Sequence, residues 1–278
     1  MVLRIEDLDV SRVRPEARSG VLDDLSWLGL DWDEGPYVQS ERLATYAEAL
    51  ERLKRADLVY PCTCTRADVA RAASAPHARE EGPAYRGTCA GRSVADGERL
   101  ARAGRAFAWR FRVPRRRVGW VDLVRGPVVF EPGALGGDFL VAREGVGPSY
   151  QLAVVVDDAA MGITQVIRGD DLVPSTPRQI LLGAALGHPE PEFGHVPLAV
   201  GPDGRRLAKR EGSVQLAALR AAGVDPRRLV GWLARSCGWS ERVEPSAARD
   251  WIGRFNLASV PKGPWIARPE DVARLAEA

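Results

Sequence analysis

Tyr150-Gln-Leu-Ala-Val-Val-Val-Asp-Asp158, followed by Gly162-Ile-Thr-Gln-Val-Ile-Arg-Gly-Asp-Asp171, is the stretch on which the fold turns. Val154-Val-Val156 is apolar on both faces, as expected of a central parallel strand over 150–156. Ile163 to Ile167 reads as a second strand, and each run ends in a charged cluster. Ser175-Thr-Pro177 then opens a helix with proline in its first turn, and Gly187 closes it. Strands alternating with helices predict an α/β fold, in which ligands bind beyond the carboxyl ends of parallel strands. Arg168 sits at such an end and can hold a carboxylate in its fork of donors. Structural pairing with Asp170 or Asp171 is the alternative, and spacing does not separate the two.

Working outward, residues 1–59 read as strand, helix, helix. Val2-Leu3-Arg4-Ile5 is a short apolar strand. Val21, Leu22, Leu25 and Leu28 keep helical spacing up to Gly29, a helix-stopping residue. Leu43, Tyr46, Ala47, Leu50 and Leu53 form a second apolar face, with Ser40 expected as its N-cap. Residues 60–92 have little periodicity and read as an inserted subdomain, with Thr65-x-x-Asp68 capping a short helix. Phe107, Trp109, Phe111 and Val113 alternate with Ala108, Arg110 and Arg112, the period of a half-buried strand. Further strands are predicted near 118–124, 128–131 and 138–142. Beyond Gly212 only helices are expected, one of them capped by Asp225-Pro226.

Composition narrows the function classes. At roughly 150 residues per domain, 278 residues allow one large or two medium domains. Apolar residues are 45% and charged residues 27%, which supports a real core and argues against disorder. Apolar runs such as Ile180 to Gly187 are far too short to span a bilayer. The charged start, Met1 to Asp9, does not read as a signal peptide, so a cytoplasmic protein is expected. Of 39 basic residues only Lys54, Lys209 and Lys262 are lysine. A lysine kept in that background, inside the polar loop Gly204-Arg-Arg-Leu-Ala-Lys-Arg-Glu-Gly212, draws attention to Lys209. Such a basic loop suits a triphosphate whose charge grows in the transition state, although a solvated surface loop has the same composition.

Cys62, Cys64 and Cys89 lie within 28 residues and suggest metal rather than disulfide. Zinc prefers four ligands, and Tyr85 or His77 can supply the fourth. Cys237, on an apolar helix, reads as core. Arg110, Arg112, Arg115-Arg-Arg117 and Arg125 form a basic stripe suited to a phosphate backbone or simply to solvent.

These pieces stand in a recognisable order. Arg4-Ile-Glu-Asp-Leu-Asp9 resembles the "R-x-E-D-x-D" segment of glutamyl-tRNA synthetases. Tyr150 to Asp158 and Ile167-Arg-Gly-Asp-Asp-Leu172 resemble that family's second-half signature. Arg206-Leu-Ala-Lys-Arg210 resembles the class I "KMSKS" loop, keeping only its second lysine. The cysteines with Tyr85 look most like the zinc site of the short glutamyl-queuosine tRNA(Asp) synthetases, which lack an anticodon-binding domain. The resemblance covers about residues 1–215 and implies a Rossmann-type doubly wound parallel sheet. Its halves would be 1–59 and 150–215, split by a zinc and acceptor-type subdomain over 60–149. An all-helical domain over 216–278 would follow.

The same resemblance implies the chemistry. Glutamate and ATP, with Mg²⁺, would form glutamyl-adenylate, and the glutamyl group would pass to queuosine at the wobble position of tRNA(Asp). The chain is expected to work as a monomer. Glu6 would bind the substrate ammonium, Tyr150 and Arg168 would position glutamate, and Lys209 with Arg206 would face the ATP phosphates. The family's "HIGH" motif would lie upstream of Arg4, and His77, His188 and His195 are not placed to replace it. An upstream start, a truncated chain or lost catalysis are the explanations, in that order. The alternative functions are a truncated glutamyl-tRNA synthetase charging tRNA(Glu), and a non-catalytic tRNA- or zinc-binding module.

Overall fold

The computed structural model describes residues 1–9, 15–72, 84–131, 136–206 and 216–276. β1 (Val2–Ile5) pairs in parallel with β2 (Glu34–Val38), and α1 (Pro15–Trp27) lies between them in the chain. Gly29, at φ 69°, adopts the left-handed turn expected after that helix. A 3₁₀ turn over Gln39–Arg42 leads into α2 (Leu43–Arg55). Ser40 is therefore not the cap of α2. It faces the other way, and its amide and hydroxyl both donate to the Asp7 carboxylate, at 2.8 and 2.7 Å.

The middle of the chain is antiparallel. β3 (Val59–Cys62) and α3 (Arg66–Ala72) are followed by α4 (Val94–Arg102) and β4 (Ala108–Phe111). β5 (Val118–Asp122) and β6 (Gly126–Phe130) make a hairpin, and β7 (Phe139–Arg143) and β8 (Gly147–Pro148) complete a sheet ordered β3-β4-β7-β8. Thr65 and Asp68 cap α3 reciprocally, as their spacing predicts.

A second parallel unit follows. α5 (Tyr150–Ala160) leads to β9 (Gln165–Gly169), α6 (Thr176–Leu186) and β10 (Glu192–Val196). β9 and β10 pair from Gln165 opposite Glu192 to Gly169 opposite Val196. The α/β expectation is met by these two parallel units. Among the described residues no ladder joins them into one doubly wound sheet. At the C-terminal end, α7 (Leu216–Ala221), α8 (Pro226–Ser236) and α9 (Pro269–Ala276) dominate. The segment is not wholly helical, because β12 (Trp265–Ile266) pairs in parallel with β11 (Ala199–Val200). No described helix is long and apolar enough to cross a membrane.

The run 150–156 is helix, not strand. Ser149 is its N-cap, and Leu152 through Asp157 are all buried. A helix packed on every side has no polar face, so its apolar run carries no 3.6 period to distinguish it from a central strand. Three consecutive valines add a β bias that tertiary packing overrides. Leu152 and Val154 join Tyr46, Leu53, Val141 and Leu182 in one apolar core. Each such side chain contributes about 1.5–3 kcal/mol by leaving water.

Arg110 and Arg112 are not a solvated stripe. The Arg110 guanidinium lies 3.7 Å from the Tyr85 ring centre and donates to the Asp138 carbonyl at 2.7 Å. Arg112 covers Tyr60 and donates to the Ala90 and Arg92 carbonyls, at 2.7 and 2.8 Å. Both side chains clamp the cysteine segment onto the antiparallel sheet, with planar cations stacked on aromatic faces. Arg115, Arg116 and Arg117 stay exposed.

One buried carboxylate ties the first parallel unit to the second. Asp157 on α5 is fully buried. It accepts from Gln39 Nε2 at 3.0 Å, Arg42 Nε at 2.8 Å and Tyr46 Oη at 2.8 Å. Asp157→Ala would leave these buried donors without an acceptor and should cost about 3–5 kcal/mol in urea unfolding. A loss below about 1 kcal/mol would mean that apolar packing alone holds the junction.

Candidate functional site

Charged side chains converge near the end of β1 and on α5. Arg4 Nη1 donates to Asp158 Oδ1 at 2.7 Å, while its Nε and Nη2 donate to Glu6 Oε1 at 3.3 and 3.1 Å. Burial works against the Arg4 charge, but Asp158 and Glu6 outweigh it and raise its pKa. Glu6 thus engages Arg4 through one oxygen and keeps 40% of its side chain exposed.

Arg168, on β9, approaches the same cluster. Its Nε donates to His195 Nε2 at 3.1 Å, Nη1 to Gln179 Oε1 at 2.8 Å and Nη2 to Thr176 Oγ1 at 2.7 Å. The contact to the Leu172 carbonyl is long, at 3.5 Å. The alternative pairing with Asp170 or Asp171 is not made. Asp170 pairs with Arg125, and Asp171 with Arg206 at 2.7 Å. Arg168 is therefore held by neutral groups, and burial pulls its pKa down. Its charge has no carboxylate partner among the described residues.

Tyr150 opens α5 and is 40% exposed. Burial raises its phenol, the Arg168 charge opposes that rise, and Glu6 and Asp158 reinforce it. Tyr150, Arg168, Glu6 and Asp158 thus share one electrostatic neighbourhood, as the sequence anticipates for three of them. Arg206 pairs with Asp171, three residues beyond Arg168 in the chain. Lys209 lies outside the described residues, as does His77.

Sequence reasoning misses Gln179, Asp122 and His195. Gln179 Nε2 is buried and makes no hydrogen bond among the described residues, although its oxygen serves Arg168. A buried donor beside a cation that no carboxylate bonds directly suits an incoming carboxylate. Nothing in the Gln179-Ile-Leu-Leu182 run marks it. A cleft beside α5 and α6 reaches the cluster only through Asp158 and Gln179. Its other walls are largely apolar or come from residues 188–191, so the polar cluster is the better candidate site.

The thiols form a second centre. The Sγ atoms of Cys62, Cys64 and Cys89 all lie within 4.8 Å of one another. Cys64 and Cys89 are 3.7 Å apart, and the Cys62 thiol donates to Tyr85 Oη at 3.4 Å. Two metal–sulfur bonds of about 2.3 Å at a tetrahedral angle set sulfurs about 3.8 Å apart. The donor set and its spacing therefore fit zinc. Burial, then hydrogen bonds with Cys89 and Cys62, push the Cys64 thiol up to about 11. Crowded thiols resist ionising together, a resistance that a dication removes. Tyr85 Oη also accepts from the Cys89 amide at 2.8 Å, which fixes the phenol at the cluster. Cys237, expected to be core, is only partly buried.

Residues 1–272 match the model of the tRNA synthetases class I (E and Q), catalytic domain. A glutamyl-Q tRNA(Asp) synthetase of Symbiobacterium thermophilum is 50% identical over 99% of this chain and 88% of its own length. A glutamate–tRNA ligase of Geobacter sulfurreducens is 42% identical over 97% of this chain, but only 56% of the ligase is covered. The crystal structure of a glutamate–tRNA synthetase from Elizabethkingia anophelis superposes with a TM-score of 0.80 at 24% identity. That likeness concerns the fold, and the chain spans 62% of that structure's length.

Proposed function

The chain belongs to the class I tRNA synthetases of the E and Q group, and from that premise we propose that it activates glutamate and transfers it to queuosine in tRNA(Asp). The relative named glutamyl-Q tRNA(Asp) synthetase supports this over tRNA(Glu) charging, because it is matched along most of its length. A glutamate oxygen attacks the α-phosphorus of ATP, and pyrophosphate leaves. A cyclopentenediol hydroxyl of queuosine then attacks the activated carbonyl, loses its proton, and expels AMP. Neither step needs a protein nucleophile, so the residues act by positioning and charge stabilisation.

The observation that carries this reading is Arg168, a half-buried cation held by neutral partners. Its unmatched charge suits a glutamate carboxylate, with Tyr150 beside it and Gln179 Nε2 as a further donor. Glu6 suits the ammonium, since its carboxylate remains half-exposed after binding Arg4. Arg206 and Lys209 are assigned to the ATP phosphates, with Mg²⁺ accompanying the nucleotide. We read 1–59 and 150–215 as the catalytic halves, 60–149 as the insertion and 216–278 as the stem-contacting end, in a cytoplasmic monomer. Cys62, Cys64, Cys89 and Tyr85 are assigned to one structural zinc, which would crosslink β3 to the segment after Tyr85.

Glutamate should be transferred to queuosine-containing tRNA(Asp), measured with radiolabelled glutamate and ATP; charging of tRNA(Glu) alone would overturn the assignment. Arg168→Ala should raise the KM for glutamate about 10- to 100-fold and that for ATP by less than about threefold. Equal effects on both substrates would point to a structural role. Elemental analysis should find about one zinc per chain. Cys89→Ser should lose it and destabilise the insertion while the α/β halves stay folded. Zinc retained by that variant would mean the ligand set is wrong.

A further inference from the structure

His195 is fully buried on β10, with the rings of Trp120 and Phe193 around it. Its two nitrogens have distinct partners. Nε2 receives Arg168 Nε–H at 3.1 Å, and Thr176 Oγ1 lies at the same distance. Arginine only donates, so Nε2 must present a lone pair and the ring proton must sit on Nδ1. Nδ1 meets Asp122 Oδ2, an acceptor, in a short hydrogen bond. Asp122 is also buried, and its other oxygen accepts from the Val124, Arg125 and His195 amides. Burial pushes its carboxyl up, but His195 and these amides outweigh burial and hold it at about 2. An ionised acceptor therefore fixes the tautomer of a neutral ring.

The guanidinium is oriented by this arrangement. Its side edge, Nε and Nη2, is taken by His195 and Thr176. Toward its far end lie Gln179 Oε1 and the 3.5 Å contact to Leu172, and the Tyr150 phenol also bears on the guanidinium. We propose that His195, locked by Asp122, is a positioning residue for substrate recognition, holding Arg168 so that its far end faces the carboxylate of bound glutamate. This rests on the reading of Arg168 as the carboxylate-binding residue. The charged groups around the imidazole are Asp122 on β5, Arg125 just after it and Arg168 on β9. Burial, then the Arg168 and Arg125 charges, oppose protonation, and Asp122 favours it; the net shift is downward. Once protonated, the ring would put an N–H against the Arg168 N–H, so glutamate affinity should fall as pH drops through that lowered pKa.

The test measures glutamate and ATP binding separately by calorimetry on the native chain and on Arg168→Ala, Asp122→Asn, His195→Ala and His195→Gln. Asp122→Asn and His195→Ala should weaken glutamate binding about tenfold or more, and ATP binding by less than about threefold. His195→Gln offers a carbonyl oxygen to Arg168 and cannot be protonated. It should restore glutamate affinity to within about threefold and abolish the acid-side loss. In ¹⁵N-histidine spectra at neutral pH, the signal missing from His195→Gln should carry its proton on Nδ1. A proton on Nε2 overturns the proposal. So does unchanged glutamate affinity in Asp122→Asn and His195→Ala when Arg168→Ala abolishes binding. If Arg168→Ala itself binds glutamate normally, the reading of Arg168 fails first, and the positioning role fails with it.

Discussion

A single buried carboxylate fixes the geometry on which the candidate site depends. Asp157 gathers a glutamine, an arginine and a tyrosine from the 3₁₀ turn and α2 into the body of α5. With all its partners at ordinary hydrogen-bond distances, it sets both the depth and the rotation of that helix. The next residue, Asp158, then meets Arg4 at the end of β1. Tyr150 lies about two turns earlier on the same helix, where the Arg168 charge reaches it. Because the buried run Leu152 to Val156 of α5 is apolar all round, packing alone would leave its rotation weakly specified. The polar pin supplies the specificity that valines and leucines lack.

The site separates two kinds of arginine. Arg4 is matched by Asp158 and Glu6, so its charge is spent inside the protein. Arg168 is held by an imidazole, an amide and a hydroxyl, which orient it without cancelling it. Such a side chain attracts an anion more strongly than a paired one, because the protein has met the cost of burying it while leaving its field open. Lysine could not fill this place. Its single ammonium lacks the planar fork that lets neutral partners hold one edge and leave the other.

What the sequence revealed follows from how local each signal is. Gly29, Gly187, Thr65 with Asp68 and Asp225-Pro226 were legible because caps and turns are decided within four residues. The thiol cluster was legible because few residue types bind soft metals. Helix α5 was misread because a fully buried helix and a buried strand have the same one-dimensional pattern. Arg110 lies on the strand that the alternation predicts and Arg112 directly follows it, but their partners, Tyr85 and Tyr60, come from other segments, so their burial was hidden. Asp122 and His195 are 73 residues apart and Arg168 and His195 are 27 apart, and no spacing rule links them.

That last pair changes how the middle of the chain is understood. The β5–β6 hairpin follows the cysteine segment in sequence and was grouped with it. In space the Leu123 amide donates to the Phe193 carbonyl at 2.8 Å, so the hairpin docks on β10. Arg125 reaches across to Asp170, and Asp122 to His195. The hairpin is thus bound to the second parallel unit at three points, one of which ends on Arg168 through the imidazole. A segment that reads as inserted supplies the carboxylate that meets the imidazole bonded to Arg168. Any motion of the hairpin against β10 must therefore reach that arginine, since a buried ionised carboxylate cannot leave its imidazole without a new partner.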